Sequence, residues 1–277
     1  MRSDILSVQK IQEVSALLSV PDSRIIAGGT SYSPAAEETF HLVDISGLEG
    51  LDGIKKKGTR IEFGPLVTLS ALADSSLVRS YAPALSECAA AAADPDIRDL
   101  ATLGGNLASA RIGDTALPLL ACGAKLTIKT DCDYRELLID RFWNSGGEND
   151  LNYDEWIMRI SIQLPREAFW GSAFAKTGEW DLTGEQAAAA AVQLSLDERD
   201  IVTGIRGGIR LRSGCVRRMF PLEKALKNKA ASDENIEKAA GAMARAVQTG
   251  PEDEDLCGML TDILQRAVSM ARERRSL

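Results

Sequence analysis

The spacing of apolar residues in the first part of the chain predicts alternating strands and helices. Ile11, Val14 and Leu18 recur at helical spacing ahead of Pro21, which predicts a first amphipathic helix. Short apolar runs predict strands at 24–27, 42–45, 60–63, 124–130 and 156–164. Capping and proline signals predict helices at 68–78, 83–93 and 115–122. The triple lysine at 55–57 is interpreted as a solvated turn.

Beyond Pro165 the pattern changes to consecutive strands followed by consecutive helices. The strands are predicted at 172–177, 186–196 and 201–212. The helices are predicted at 221–229, 234–247 and 256–273. Because a run of strands followed by a run of helices is typical of an α+β module, we expect a domain boundary near residue 170.

Composition and charge then exclude several classes of function. A chain of 277 residues with 45% hydrophobic and 26% charged residues can bury a sizeable core. Its formal net charge of -8 argues against a nucleic-acid partner. The longest stretch without a charged residue, 25–36, is far shorter than the roughly 20 apolar residues of a membrane span. We therefore expect a soluble cytoplasmic protein without a membrane span.

Several kinds of catalytic or metal site have no sequence signal. The cysteines lie far apart without a CxxC pair, and His41 is the single histidine, so we expect no metal site and no catalytic side chain. Neither GxGxxG, a Walker A loop nor GxSxG occurs. The cysteines are interpreted as small buried hydrophobic residues: Cys88, Cys122, Cys132, Cys215 and Cys257.

Two glycine pairs are the strongest chemical signal in the chain. The first segment is Ala27-Gly28-Gly29-Thr30-Ser31, and the second is Thr102-Leu103-Gly104-Gly105-Asn106. Glycine permits positive φ and lacks Cβ, so successive backbone N–H groups can converge on an anion such as a diphosphate. Each pair alone is also typical of an ordinary turn. Facing each other, the two segments would hold both phosphates of a dinucleotide without a basic side chain.

The wider sequence around these pairs resembles a known family. AGGTS, LVDISGLEGL, IEFGPLVTLSAL and DIRDLATLGGNLASARIGDTALPLLACGAKLTI resemble the flavin-binding subunit of the molybdenum hydroxylases, a group that includes xanthine dehydrogenase and carbon monoxide dehydrogenase. The resemblance implies an α+β fold. A two-lobed FAD-binding domain of the PCMH type would span 1–170, with subdomains at about 1–55 and 56–170. A domain of the CO dehydrogenase flavoprotein type, with a three-stranded antiparallel sheet and helices, would span 171–277.

The resemblance also implies FAD as the cofactor and a set of residues that contact it. Asp114 would contact the adenosine side, although a helix cap ahead of 115–122 is an equal alternative. Lys176 would lie near the flavin ring, or else be a surface strand residue. Arg111 and Trp180 depart from the family's proline and arginine. The diphosphate contacts would be Ala27, Gly28, Gly29, Thr30, Ser31, Tyr32, Thr102, Gly104, Gly105 and Asn106.

The function implied by the resemblance is electron transfer within a larger complex. Electrons would come from the [2Fe-2S] clusters of an iron–sulfur subunit, pass through FAD in this chain, and leave to NAD or another acceptor. Molybdopterin would be bound by a further subunit. Two alternatives stay open: an assembly subunit that keeps the fold without flavin, and a stand-alone FAD oxidoreductase.

Overall fold

The described residues form three sheets, and each sheet has its own hydrophobic core. A computed structural model describes residues 4–31, 41–109, 113–144, 147–177, 188–211, 216–247 and 254–275. In these ranges no helix is long and apolar enough to cross a membrane. We name the three units the amino-terminal, middle and carboxyl-terminal lobes.

The amino-terminal lobe is a small parallel sheet covered by one helix. Its strands pair in the order β1-β3-β2, and its core contains Val14 and Leu18 of the helix and Val43 of the central strand. Because the apolar residues of the helix recur at helical spacing, one face of the helix packs on the sheet. The elements are β1 (Asp4–Ser7), α1 (Ile11–Leu18), β2 (Ser23–Ile26) and β3 (His41–Asp44).

The middle lobe packs six short helices against an antiparallel sheet. The strands pair in the order β4-β5-β8-β6-β7. The strands are β4 (Ile54–Lys57), β5 (Arg60–Phe63), β6 (Lys125–Lys129), β7 (Tyr134–Leu138) and β8 (Trp156–Gln163). The helices are α2 (Leu69–Asp74), α3 (Ser76–Tyr81), α4 (Pro83–Ala91), α5 (Pro95–Leu100), α6 (Leu103–Ala108) and α7 (Ala116–Cys122), with a 3-10 turn at Ile139–Arg141.

The carboxyl-terminal lobe is an antiparallel sheet with three helices. Its strands pair in the order β12-β11-β10-β9, and helices α8 to α10 supply much of its core. The strands are β9 (Phe169–Lys176), β10 (Ala189–Leu196), β11 (Val202–Arg210) and β12 (Val216–Arg218). The helices are α8 (Phe220–Leu226), α9 (Asp233–Ala246) and α10 (Glu254–Arg275).

The order of elements confirms the predicted α+β class and most individual predictions. The first helix lies at Ile11–Leu18 as predicted, and the strand at Arg60–Phe63 has the predicted bounds. The strands-then-helices pattern of the second half is also confirmed. These elements were predictable because their apolar spacing coincides with the face that each buries.

Four predictions differ from the structure. The helix predicted at 68–78 is two helices, because extended Ser75 ends α2 and caps α3 by accepting a hydrogen bond from the Val78 N–H. The triple lysine is not a turn but part of strand β4. The predicted three-stranded sheet has a fourth strand, β12. The second glycine segment, 102–106, expected to be a turn, is instead the cap and first residues of helix α6.

Candidate functional site

A cavity of about 710 Å³ lies between the amino-terminal and middle lobes. Its walls come from β2 with the segment after it, from residues 101–109, and from residues 149–157. The volume lies within the range of small-molecule and cofactor sites. All of the predicted contacts at 27–31 line this cavity, and so do Thr102, Gly104, Gly105 and Asn106. The structure therefore brings the two glycine segments together.

The first glycine segment presents backbone donors to the cavity. Gly29 has φ +70°, a left-handed conformation that favours glycine. Within the described part of the chain, the backbone N–H groups of Gly28, Gly29, Thr30 and Ser31 have no hydrogen-bond partner. Successive unpaired amides along a turn are a common anion-binding arrangement in proteins.

The first segment also packs directly against the chain that leads into the second. A Cβ at residue 28 would overlap the carbonyl oxygen of Leu100 at the end of α5. Glycine is therefore required at residue 28 for close approach of two backbones. This contact fixes the separation of the two segments across the cavity.

The second glycine segment is constructed differently, because its amides are already paired. Leu103 N donates to Val67 O and Gly104 N donates to Pro65 O, both at 2.8 Å. The Thr102 hydroxyl caps α6 by accepting from Gly105 N at 3.2 Å. Asn106 N donates to Thr102 O at 2.8 Å. In this conformation these four amides are not available to a ligand.

The two glycines of the second segment shape the cavity wall in different ways. A Cβ at Gly104 would lie 2.8 Å from Pro65 Cβ and 2.9 Å from Pro65 O, so Gly104 allows the helix to sit close against the Pro65 turn. Gly105 is exposed, and a Cβ there would meet only the Thr102 hydroxyl at 3.0 Å. Gly105 therefore leaves open space on the cavity side.

The third wall of the cavity is held by an ion pair between partly exposed Arg135 and buried Glu155. Arg135 donates to both carboxylate oxygens of Glu155, at 2.8 and 2.7 Å, and Asn152 N donates to the same carboxylate at 2.9 Å. The hydrogen bonds from Arg135 lower the pKa of Glu155 despite its burial. Arg135 also pairs with Asp150 at 2.9 Å, so it offsets part of the negative charge behind this wall and reduces the repulsion of an anion in the cavity.

Two unpaired side-chain donors also line the cavity. The indole Nε1 of Trp156 and the hydroxyl of Ser23 are buried and have no hydrogen-bond partner within the described ranges. Trp156 is only 2% exposed. Buried polar atoms normally have partners, so an unpaired pair beside one cavity indicates that the cavity takes a polar ligand.

Asp114 lies behind the second segment rather than in the cavity wall. Its carboxylate forms an ion pair at 2.5 Å with Arg210 of β11, and both residues are buried. Asn106 reaches the same turn, because its Oδ1 accepts hydrogen bonds from both the N–H and the hydroxyl of Thr115. Helix α7 has no side-chain cap, so the alternative interpretation of Asp114 as a helix cap is wrong.

Lys176 lies at the end of β9 and is likewise outside the cavity wall. Its ammonium group donates to the carbonyl oxygen of Ala91, at 2.6 Å, near the end of α4. This contact joins the carboxyl-terminal and middle lobes. Tyr32, Arg111 and Trp180 lie outside the described residues.

Sequence reasoning missed the residues that support the site from behind. Arg135, Glu155 and Arg210 had no motif to identify them, since their partners are far away in the chain. Trp156 was predicted only as a strand residue. An available signal was the single arginine at the end of the small, apolar run Gly207-Gly208-Ile209-Arg210, because a charge in a buried strand needs a partner.

The cavity fits a diphosphate site built mainly from backbone amides. Arg24 and Glu155 are the charged side chains among the described lining residues, and Glu155 is paired with Arg135. Backbone amides of the first segment would supply the donors, and glycines of the second would supply space. These residues therefore fit the diphosphate of FAD.

Comparison with known proteins gives a family match over most of the amino-terminal and middle lobes. The family model described as the FAD binding domain in molybdopterin dehydrogenase matches residues 1–166. The chain is 27% identical over 248 residues to the nicotine 6-hydroxylase medium subunit of Paenarthrobacter nicotinovorans, covering 87% of this chain and 86% of that one. It is 29% identical over 266 residues to the carbon monoxide dehydrogenase medium chain of Afipia carboxidovorans, covering 91% and 90%.

Solved structures show the same overall arrangement over nearly the whole chain. Carbon monoxide dehydrogenase from Hydrogenophaga pseudoflava superposes with a TM-score of 0.85 at 26% identity, covering 99% of this chain and 98% of that one. The likeness therefore extends through the carboxyl-terminal lobe, beyond the range that the family model matches.

Proposed function

Because this chain belongs to the family of FAD-binding domains in molybdopterin dehydrogenases, we propose that it binds FAD in the cavity between its first two lobes. It is an FAD-binding subunit of the molybdenum hydroxylase family, and its relatives are oxidoreductase subunits. The proposal extends this to the residues of the site, the route of the electrons and the partner chains.

The observation that carries the proposal is the unpaired amides of the first glycine segment. Four successive N–H groups, at 28–31, line the cavity with no partner among the described residues. Hydrogen bonds from backbone amides to an anion stabilise it without a basic side chain. A diphosphate seated here would also lie beside Gly105, where the absence of a side chain leaves room for it.

When bound, FAD would collect single electrons from iron–sulfur clusters and release them as a pair to NAD or another acceptor. The residues of this chain bind and orient the cofactor. The first segment would donate hydrogen bonds to the diphosphate. The second segment would form the facing wall, where its glycines leave room for the ligand. The Arg135–Glu155 pair holds the third wall in place, because both carboxylate oxygens and the Asn152 N–H are fixed by hydrogen bonds.

The proposal also includes partner chains that carry the iron–sulfur clusters and molybdopterin. Among the described residues, no group of three or more His, Cys, Asp or Glu side chains is arranged to hold a metal. The relatives are named as medium subunits or chains, which supports our assignment of the [2Fe-2S] clusters and molybdopterin to separate subunits; we also propose that the complex is cytoplasmic. We also propose that residues 1–170 form the FAD-binding domain and that 171–277 form the CO dehydrogenase flavoprotein-type domain.

The first test is the cofactor content of the purified chain. We expect a yellow protein that releases one FAD per chain on denaturation, identified by chromatography, and that recovers it on reconstitution. A folded, colourless chain that takes up no FAD would support the flavin-free assembly alternative instead. Co-purification with a cluster-bearing chain and a molybdenum-bearing chain would then exclude the stand-alone oxidoreductase.

Lys176 gives a second test, of the proposed position of the flavin ring. A cation near the ring stabilises its reduced anionic form. Lys176→Ala should therefore keep FAD but lower the reduction potential measured by redox titration. Lys224→Ala is the control, because Lys224 is an exposed residue of α8, whereas Lys176 lies where the carboxyl-terminal lobe contacts the middle lobe. An unchanged potential in Lys176→Ala would show that this lysine only joins the two lobes.

A further inference from the structure

Two buried donors remain unexplained by binding of the diphosphate. Trp156 and Ser23 are residues of the cavity wall, and their Nε1 and Oγ atoms are shielded from solvent and have no partner among the described residues. Leaving a buried donor unpaired destabilises a protein, so such donors usually have a partner in the functional state. Neither residue belongs to a glycine segment.

The two donors come from opposite lobes. Ser23 begins β2, the edge strand of the amino-terminal lobe, whereas Trp156 begins β8 of the middle lobe. The Trp156 ring nevertheless packs in the amino-terminal core with Val14, Leu18 and Val43. The apolar part of the ring is therefore used in core packing, whereas its N–H group makes no hydrogen bond among the described residues.

Three other polar side chains in the same walls are already satisfied. Asn149 donates to Ala108 O and accepts from Leu151 N. The Glu155 carboxylate is occupied by Arg135 and Asn152 N. The Thr102 hydroxyl accepts from Gly105 N. Trp156 and Ser23 thus differ from these three side chains of the cavity wall.

We infer that Trp156 Nε1–H and Ser23 Oγ–H donate hydrogen bonds to the ring system of the bound dinucleotide and thereby tie the two lobes together around it. An indole N–H can only donate, so its partner is an acceptor, either a ring nitrogen or a ring carbonyl oxygen. Both the adenine and the isoalloxazine ring offer such acceptors. This inference rests on the proposed binding of FAD in the same cavity.

The chain provides a matched control for each donor. Trp143 Nε1 and Ser15 Oγ are also buried without partners, but neither residue lines the cavity. Trp156→Phe and Trp143→Phe therefore remove the same chemical group from inside and outside the site. Ser23→Ala and Ser15→Ala form the second such pair. Thermal unfolding and circular dichroism would establish that each variant is folded.

The experiment is a titration of each reconstituted variant with FAD, FMN and ADP, followed by flavin fluorescence or calorimetry. We expect Trp156→Phe to weaken FAD binding about tenfold and Ser23→Ala about threefold, as loss of one hydrogen bond predicts. Trp143→Phe and Ser15→Ala should bind as the unaltered chain does. A matching loss with ADP assigns the contact to adenine, and a matching loss with FMN assigns it to isoalloxazine.

A spectroscopic measurement separates a direct contact from altered packing. The indole proton of Trp156, assigned by comparison with Trp156→Phe, should move downfield on saturation with FAD, while that of Trp143 stays in place. The inference is overturned if folded Trp156→Phe and Ser23→Ala both bind FAD as tightly as the unaltered chain, or if the controls lose equal affinity. If the unaltered chain binds no FAD at all, the proposed function fails together with it.

Discussion

The two glycine segments have nearly the same sequence signal and opposite hydrogen-bonding states. In the first segment the N–H groups of residues 28–31 are unpaired among the described residues and line the cavity. In the second, the N–H groups of residues 103–106 are all paired with the Pro65 turn or with Thr102. A glycine pair therefore does not by itself indicate an anion-binding turn.

The difference follows from what each segment packs against. The second segment begins a helix, so Thr102 caps it and distant carbonyl oxygens take its first amides. The first segment follows a short edge strand, and none of the described strands or helices takes its amides. The first segment can bind a ligand through its backbone, whereas the second segment shapes the cavity wall. Four predictions test this division.

The largest effect is expected at Gly28, where the two segments touch. Gly28→Ala places a methyl group on the Leu100 carbonyl oxygen, and neither backbone can move without disturbing α5. We expect a loss of about 3 kcal/mol or more in the free energy of unfolding, with FAD binding lost as well. Urea titration measures the first effect. Gly47→Ala is the control, because a Cβ there meets no atom within 4 Å. Equal stability of the two variants would contradict the packing described at residue 28.

At Gly105 the expected effect falls on the ligand rather than on the fold. A valine side chain would enter the cavity, while its Cβ meets only the Thr102 hydroxyl. Gly105→Val should weaken FAD binding about 100-fold or more, and lower the free energy of unfolding by about 1 kcal/mol at most. Flavin retention after gel filtration and urea titration measure the two quantities. Gly105→Ala, with a smaller side chain, should retain more FAD; full retention in Gly105→Val would count against this cavity as the site.

Gly104, one residue earlier, should show the reverse pattern. Its Cβ would press on Pro65, so Gly104→Ala should lower the free energy of unfolding by about 1–3 kcal/mol. The folded fraction should bind FAD with nearly unchanged affinity, because the amide at 104 is engaged with Pro65 O. Comparison of unfolding midpoints and FAD dissociation constants with those of Gly105→Val gives the test. If Gly104→Ala lost FAD without losing stability, the roles assigned to the two glycines would be exchanged.

The smallest effect concerns the wall that both segments share. Because Arg135 lowers the pKa of Glu155 in the folded chain, this pair stabilises the fold above the unfolded-state pKa of about 4.3 and loses that effect as pH falls. Arg135 is about one-third exposed, so we expect only about 1 kcal/mol. Glu155→Gln should reduce stability at pH 7 and flatten the loss on acidification below about pH 5. The free energy of unfolding measured from pH 7 to pH 3 tests this, with Glu148→Gln, whose partner Asn144 is uncharged, as the control.

Much of the fold was predictable because its signals are local. The first helix, the strand at Arg60–Phe63 and the three final helices have apolar spacing that matches their buried faces. The errors arose where one residue or a distant partner decides. Ser75 splits a predicted helix, and β4 forms from three lysines because β5 pairs with it. The candidate site was predictable in its glycine segments but not in Arg135, Glu155, Trp156 or Arg210, whose partners are remote in sequence.

The sequence alone determined where the small residues lie, which spacing each helix and strand follows, and which family the chain resembles. Tertiary structure decided which amides are free, since Gly104 and Leu103 lose theirs to carbonyl oxygens of Pro65 and Val67, which a distant part of the chain brings near. It also placed Asp114 against Arg210 and left the Trp156 indole unpaired in the cavity wall. The physical reason is that apolar periodicity is a property of neighbouring residues, whereas satisfaction of a buried polar group depends on every chain segment that packs around it.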